Sequence, residues 1–156
     1  MDPADGLQDA QLDDGARVHI VHGDVARGGH VLVNVRKFTG DVWFDVIAPT
    51  DGRAQGRCNS VHFTRGARTA WHKHANGQLL HVTDGTGLTQ VRGGDVVVIR
   101  AGDTIWCSPG EWHWHGAAPD HFMTHLAIWD GLHEGQHGPE TEWGEHVTEA
   151  EYAQQP

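Results

Sequence analysis

Apolar and polar positions alternate along short stretches of this chain, and Gly, Pro, Asn or Asp residues interrupt them. Alternation of this kind predicts β-strands with one buried face. The dipeptides Asn76-Gly77, Asp84-Gly85, Gly93-Gly94 and Pro109-Gly110 predict turns between the strands. Many short strands joined in this way favour an all-β sandwich or barrel. The predicted strands are Arg17–His22, His30–Phe38, Val42–Ala48, Arg57–Thr64, Gln78–Thr83, Leu88–Arg92, Asp95–Arg100, Thr104–Cys107, His113–Ala117 and Met123–Trp129.

The two ends of the chain have a different pattern from the centre. Residues 1–16 are rich in aspartate and poor in bulky apolar groups, which predicts a mobile acidic arm. Residues 17–56 form a β-rich extension that should pack on a barrel at 57–130. Residues 131–156 predict a surface loop followed by a short helix near residues 149 to 154. The sequence Thr148-Glu149-Ala150-Glu151 matches a capping box, which sets the start of that helix.

Length and charge narrow the classes of function. A chain of 156 residues suits a single domain. Its formal net charge of -10 disfavours binding to nucleic acid or to an anionic membrane surface. The acidic first residues do not match a secretory signal, and there is no apolar run long enough to span a membrane. Cys58 and Cys107 are therefore expected to be free thiols in a reducing, cytoplasmic compartment.

One group of polar residues has the spacing of a metal site. On a strand, His72 and His74 point to the same face, and the turn at Asn76-Gly77 would bring Gln78 back beside them. His113 follows a second turn much later in the chain. Imidazole nitrogens suit transition metals, and the harder amide oxygen of Gln78 favours manganese or iron. His115 shares a strand face with His113, so it is either an alternative ligand or a neighbour of the ligands. Ordinary structural histidines are the competing interpretation.

The glycines around these ligands carry a family resemblance. Gly66-x5-His72-x-His74-x3-Gln78-x6-Gly85 resembles the first cupin motif, with Gln78 where most cupins have glutamate. The run from Gly102 through Gly110 to His113 resembles the second motif, although Pro109 lies one residue late and Ala117 replaces the usual asparagine. The resemblance covers about residues 57–130. It implies a small double-stranded, jelly-roll-like β-barrel that holds a metal through His72, His74, Gln78 and His113.

A narrower resemblance is carried by five segments: Gly66–His72, Ser108–Glu111, His113–Pro119, Met123–Ile128 and Glu145–Thr148. They are similar to small bacterial cupins that include manganese-dependent hydroxynitrile lyases. The resemblance implies manganese as the metal, with iron, nickel or zinc as alternatives, and an acid/base role for His125. A structural histidine buried in the barrel is the other interpretation of His125. The likeness also implies a homodimer or a higher homo-oligomer.

Residues that precede the first motif, together with Trp129, should decide which substrate fits the pocket. Strand alternation points Asn59, Val61 and Phe63 inward, and Trp129 should form a bulky wall of the same pocket. The resulting hypothesis is a metal-dependent lyase for a small hydroxylated or carbonyl compound, with cyanohydrin cleavage as its sharpest form. A cupin dioxygenase and a non-catalytic small-molecule-binding cupin are the alternatives, because a fold alone does not fix function.

Overall fold

A computed structural model describes the backbone of residues 7–11 and 17–21 and the whole of residues 37–48 and 55–154. The described chain is almost entirely β-structure with one short helix, which confirms the predicted fold class. No helix in these ranges has the length and apolar character needed to cross a membrane. The elements are β1 Leu7–Gln11, β2 Arg17–Val21, β3 Phe38–Thr39, β4 Val42–Ala48, β5 Gly56–Phe63, β6 Arg68–Thr69, β7 His72–His74, β8 Gln78–Val91, β9 Val97–Arg100, β10 Thr104–Cys107, β11 His113–Ala117, β12 Met123–Asp130, β13 Thr141–Trp143 and α1 Glu149–Tyr152.

Two antiparallel sheets share the long strand β8. The first half of β8 pairs with β10 and β12, and β12 continues the sheet through β5 to β4. The second half of β8 pairs with β9 and β11, and β11 continues through β6 and β7 to β3 and β13. One strand that belongs to both sheets joins the two faces of a small barrel. Strands β3, β4, β7 and β13 contribute residues to the site described below, and all four belong to these two sheets.

Strand β8 departs from the predicted pattern at Gly85. A turn was predicted at Asp84-Gly85, but the strand continues through both residues. Gly85 has a positive φ of 76°, and a Cβ there would lie 2.0 Å from the carbonyl oxygen of Phe122. The register with β12 also shifts between Thr124 and His125. Glycine therefore allows a bend and a close approach of two strands instead of a chain reversal.

Two further segments differ from expectation. Leu7–Gln11, in the stretch predicted as a mobile acidic arm, forms a strand. It pairs with Arg17–Val21, which lies within the predicted strand Arg17–His22, as a separate two-stranded sheet. Thr141–Trp143 pairs with His72–His74, inside a tail predicted to be a loop. Most of the predicted strand His30–Phe38 lies outside the described residues. The predicted Asn76-Gly77 turn is confirmed, and Gly77 has a positive φ of 83°.

The short helix closes one side of the barrel. Thr148 caps it through the predicted capping box, in which the Thr148 side chain accepts from the Glu151 backbone and the Glu151 carboxylate accepts in return. Val147 and Tyr152 are both buried against Trp114. The Tyr152 hydroxyl donates to the carbonyl of Ala117 over 2.7 Å. Because Trp114 and Ala117 belong to β11, the helix packs on the outer side of the strand that also carries His113.

Candidate metal centre and cavity

Strand pairing brings the separated motifs together. His72 and His74 lie at the two ends of β7, and His113 begins β11 directly opposite His72 in the antiparallel register. Gln78 begins β8 immediately after the turn that follows β7. The predicted ligands therefore converge because β7 and β11 are neighbours and a tight turn returns the chain beside them.

The converging side chains are close and buried. One ring nitrogen from each of His72, His74 and His113 lies within 4.8 Å of the other two. The Oε1 atom of Gln78 lies 3.1 Å from Nε2 of His113. Each of the four side chains is at most 4% exposed. This group of His72, His74, His113 and Gln78 is called the histidine cluster below.

The outer nitrogens of the three imidazoles all have partners. The Nδ1 atom of His72 donates to the Ala70 carbonyl over 3.0 Å, and Nδ1 of His113 donates to the Glu111 carbonyl over 2.9 Å. The Nδ1 atom of His74 lies 3.1 Å from the Thr141 hydroxyl. A proton held at Nδ1 leaves Nε2 free as an electron-pair donor, and metal-binding histidines are oriented in this way.

The inward atoms fit a divalent metal ion. The buried Nε2 of His74 has no hydrogen-bond partner among the described residues. An orphaned buried nitrogen is costly unless a ligand satisfies it. Three imidazole nitrogens and one amide oxygen form a neutral donor set that suits first-row transition metals. His72, His74, Gln78 and His113 are therefore the residues that would hold such an ion.

Burial keeps these histidines neutral. It lowers the pKa of His72 well below its usual range, and the neighbouring His113 and His74 lower it further. Burial, followed by the charge of His113, lowers the pKa of His74 to about 3. Burial also lowers the pKa of His113. Neutral imidazole is the form that binds metal, so the cluster is prepared as a ligand set near neutral pH.

A cavity of about 330 Å³ opens beside the histidine cluster. This volume suits a small organic ligand. Its walls include the predicted Asn59, Val61 and Trp129. Three members of the cluster also face it. The complete lining is Lys37, Phe38, Phe44, Asn59, Val61, Thr69, His72, His74, Gln78, His115, Ala127, Trp129, Thr141 and Trp143.

Phe63 does not line the cavity, although it was expected in the same wall as Asn59 and Val61. It is 1% exposed and belongs to the apolar core. Its ring contacts His115 edge-on at 5.8 Å and His125 at 5.4 Å, measured between centroids. Alternation correctly turns Phe63 inward, but at its level of the barrel the interior is filled by side chains. Phe63 therefore supports two histidines from behind.

His125 also lies behind the cavity wall. It is fully buried and is not among the lining residues. Its Nε2 atom lies 3.1 Å from Nδ1 of His115, and His115 does line the cavity. The Nε2 atom of His115 is buried without a partner among the described residues. The two histidines thus form a chain that runs from the cavity into the core.

Strand β13 supplies residues that the sequence did not reveal. Thr141 bonds His74, and the Trp143 ring stacks on His72 with centroids 4.7 Å apart and an angle of 25°. Phe38 packs edge-on against Trp143 at 5.9 Å. A three-residue strand is too short to show a periodic pattern. The sequence offered only a weak signal, the apolar Trp143 two positions from Thr141 in a mostly polar stretch.

Comparison with known proteins agrees with this fold. A family model described as "Cupin domain" matches residues 59–129. The chain is 50% identical, over 115 residues, to a protein of Granulicella tundricola named (R)-mandelonitrile lyase. That alignment covers 74% of this chain and 85% of the relative. The chain therefore belongs to the cupin family.

Solved structures have the same fold. A cupin-like protein from Thermotoga maritima aligns with a TM-score of 0.68 and 40% identity, covering 74% of this chain and 84% of that one. A cupin-2 domain from Rhodospirillum rubrum aligns with a TM-score of 0.57 and 19% identity, covering 75% of this chain and 72% of the other. At that identity the second likeness concerns the fold alone.

Proposed function

We propose that this cupin is a metal-dependent lyase that breaks a carbon–carbon bond next to a hydroxyl group, with a cyanohydrin as the substrate to test first. The observation that carries the proposal is the histidine cluster, three members of which line a cavity that also contains His115. The name of the Granulicella relative supports the choice of cyanohydrin. A bound divalent ion would supply Lewis acidity toward a developing negative charge on the hydroxyl oxygen.

The two histidines at the back of the cavity provide a route for the proton. In one tautomer, Nδ1 of His115 donates to Nε2 of His125, which leaves the buried Nε2 of His115 as a bare acceptor in the cavity wall. His115 then takes the hydroxyl proton, and His125 holds His115 in that tautomer. The oxygen–hydrogen and carbon–carbon bonds break as the carbonyl double bond forms. Cyanide leaves with the electron pair of the carbon–carbon bond and is released as HCN after it takes up the proton.

The cavity walls favour a substrate with one flat apolar part. Trp129, Trp143, Phe38 and Phe44 provide aromatic surface around the cluster. Asn59 adds an amide that can bond a polar group of the substrate. An aromatic cyanohydrin satisfies both requirements, because its ring can pack on the walls while its hydroxyl faces the histidines.

The metal and its environment complete the proposal. Manganese is the first choice, since a neutral amide ligand beside three imidazoles favours it or iron, and nickel or zinc are alternatives. The cytoplasm is the proposed location because neither thiol, Cys58 or Cys107, is paired in a disulfide.

A homodimer is proposed through the outer face of the barrel. The strand register places Trp106, Leu79, Ile128 and Cys58 side by side across four strands. Trp106 is 58% exposed, and the nearby Ile47 is 56% exposed. Such an apolar row is unfavourable in water and suits contact with a second subunit. A Trp106→Asp variant should then sediment as a smaller species than the native protein, and unchanged sedimentation would argue against this face.

The experiment for the proposed activity is cyanide release from mandelonitrile by protein loaded with manganese. Release should stop when a chelator removes the metal and return when manganese is restored. A His113→Ala variant should stay inactive in both conditions. Oxygen consumption without cyanide release would instead favour the dioxygenase, and tight ligand binding without turnover would favour a binding protein.

A further inference from the structure

The cavity has an electrostatic character opposite to that of the whole chain. The protein carries a formal net charge of -10, yet no aspartate or glutamate lines the cavity among the described residues. Lys37 is the charged side chain in the lining, and it is exposed, which places it at the mouth. A cavity with a cation and no carboxylate attracts anions.

Lys37 makes one backbone contact and one side-chain contact with residues next to the histidine cluster. Its carbonyl accepts from the backbone N–H of Ala70 over 2.7 Å. Its ammonium lies 5.2 Å from the centroid of the Trp143 ring, a distance at which a cation is attracted to an aromatic face. Trp143 in turn stacks on His72. One aromatic ring therefore contacts both the ammonium and a member of the histidine cluster.

Other cations that lie over aromatic rings are also paired with a carboxylate. Lys73 lies over Trp112 and pairs with Glu142 over 2.9 Å. Arg68 and Arg92 likewise lie over rings, and they pair with Glu149 and Glu145 respectively.

Lys37 differs from these three cations. Its ammonium lies over Trp143, and no carboxylate of the described residues forms an ion pair with it. Among the carboxylates that the structure describes, none neutralises this charge, which leaves it for a ligand in the cavity.

We infer that the natural substrate carries a carboxylate, which pairs with Lys37 at the mouth while the reacting hydroxyl faces the histidine cluster. This inference rests on the proposed function in taking the cavity as the substrate site, and it names the substrate class. The carboxylate sets the orientation, because Lys37 and the histidine cluster are separate parts of the cavity lining and only one end of the substrate is charged. An ammonium bound to a carboxylate gives a charge-assisted hydrogen bond.

The test compares a charged probe with a neutral probe of almost the same shape. Phenylacetate and phenylacetamide are titrated calorimetrically into manganese-loaded protein, in the native form and as Lys37→Gln, Lys37→Arg and Arg100→Gln. Arg100 is an exposed cation on β9 that does not line the cavity, so its variant is the matched control for net charge.

The expected result is a loss of affinity for phenylacetate in Lys37→Gln alone. Lys37→Gln should bind phenylacetate about three- to fivefold more weakly than the native protein, a modest effect because the ammonium is partly solvated. It should bind phenylacetamide as before. Lys37→Arg should keep the affinity for phenylacetate, and Arg100→Gln should behave as the native protein does. Added salt should reduce the difference between native and Lys37→Gln.

Equal binding of phenylacetate by native protein and Lys37→Gln would overturn the inference. The metal can also bind a carboxylate, but every variant is compared with manganese in place, so that contribution is common to all. These titrations need no turnover. If the protein releases no cyanide, the proposed reaction is wrong. If Lys37→Gln binds phenylacetate as the native protein does, only the inference of an anionic substrate is wrong.

Discussion

The Nε2 atom of His125 lies 3.1 Å from Nδ1 of His115, and of these two residues only His115 lines the cavity. The strand pattern placed both residues inside the barrel without indicating which of them lies nearer the cavity. In the proposed reaction, this contact would make His115 the group next to the substrate and His125 its support. This order changes what substitutions at the two positions should do.

His115→Asn and His125→Asn should each reduce kcat for mandelonitrile cleavage by about 100-fold or more, because each breaks the same proton route. The double variant should be little worse than either single one, since residues that act as a unit are not additive. Steady-state cyanide release measures all three. Metal content should remain that of the native protein.

An exposed loop histidine provides the control for this series. His137→Asn should retain native kcat, because His137 lies on the surface away from the cavity. Full activity in His125→Asn together with a large loss in His115→Asn would show that the cavity histidine works alone. Full activity in both would remove the proton route.

Acid should destabilise the metal-free protein more than an ordinary protein with exposed histidines. Burial lowers the pKa of His125 to about 4, whereas an unfolded histidine has a pKa near 6.5. Between these values the unfolded chain binds a proton that the folded chain excludes, so the free energy of unfolding falls as the pH falls. From pH 7 to pH 5 the loss from His125 alone is about 2 kcal/mol. Urea unfolding at the two pH values measures it.

The matching variants are His125→Gln and His137→Gln. Without the buried imidazole, His125→Gln should lose about 2 kcal/mol less than the native protein between pH 7 and pH 5. His137→Gln should show the native loss. The assignment fails if His125→Gln and native protein lose the same free energy over this interval.

Thr141 should influence metal affinity although it is not a ligand. Its hydroxyl lies 3.1 Å from Nδ1 of His74, and losing such an outer partner typically weakens metal binding by about 10- to 100-fold. Thr141→Val keeps the shape but removes the hydroxyl, so its dissociation constant for manganese should rise at least tenfold. Thr141→Ser keeps the hydroxyl and should stay near the native value. Competition with a chromophoric chelator measures both, and equal constants for the valine and native proteins would refute this role.

The parts of the site that lie in regular motifs were predictable from the sequence. His72 and His74 share a face because side chains alternate along a strand, and the Asn76-Gly77 dipeptide placed Gln78 beside them. The run from Gly102 to His113 resembles the second cupin motif, and that resemblance identified His113 as a member of the cluster. Asn59 and Val61 followed from the same alternation, and both line the cavity.

Other parts depend on long-range packing that the local pattern does not encode. Alternation predicts that Phe63 points inward. Its depth in the barrel depends on the strand register, which pairs Phe63 with Val42 on one side and with Met123 on the other. The pairing of β13 with β7 joins residues about seventy positions apart through a strand of three residues, so no periodic signal marks it. Trp143 and Lys37 enter the cavity through such pairings, and both were missed.

The central claim is that His72, His74, Gln78 and His113 hold one divalent metal ion. The most direct measurement is the metal content of protein expressed with manganese, purified without added metal and analysed by mass spectrometry. The native protein and a His81→Ala control, altered at a histidine outside the cavity lining, should each carry about one transition-metal ion per chain. His72→Ala should carry almost none. A folded His72→Ala protein with the same metal content as the native protein would contradict the account.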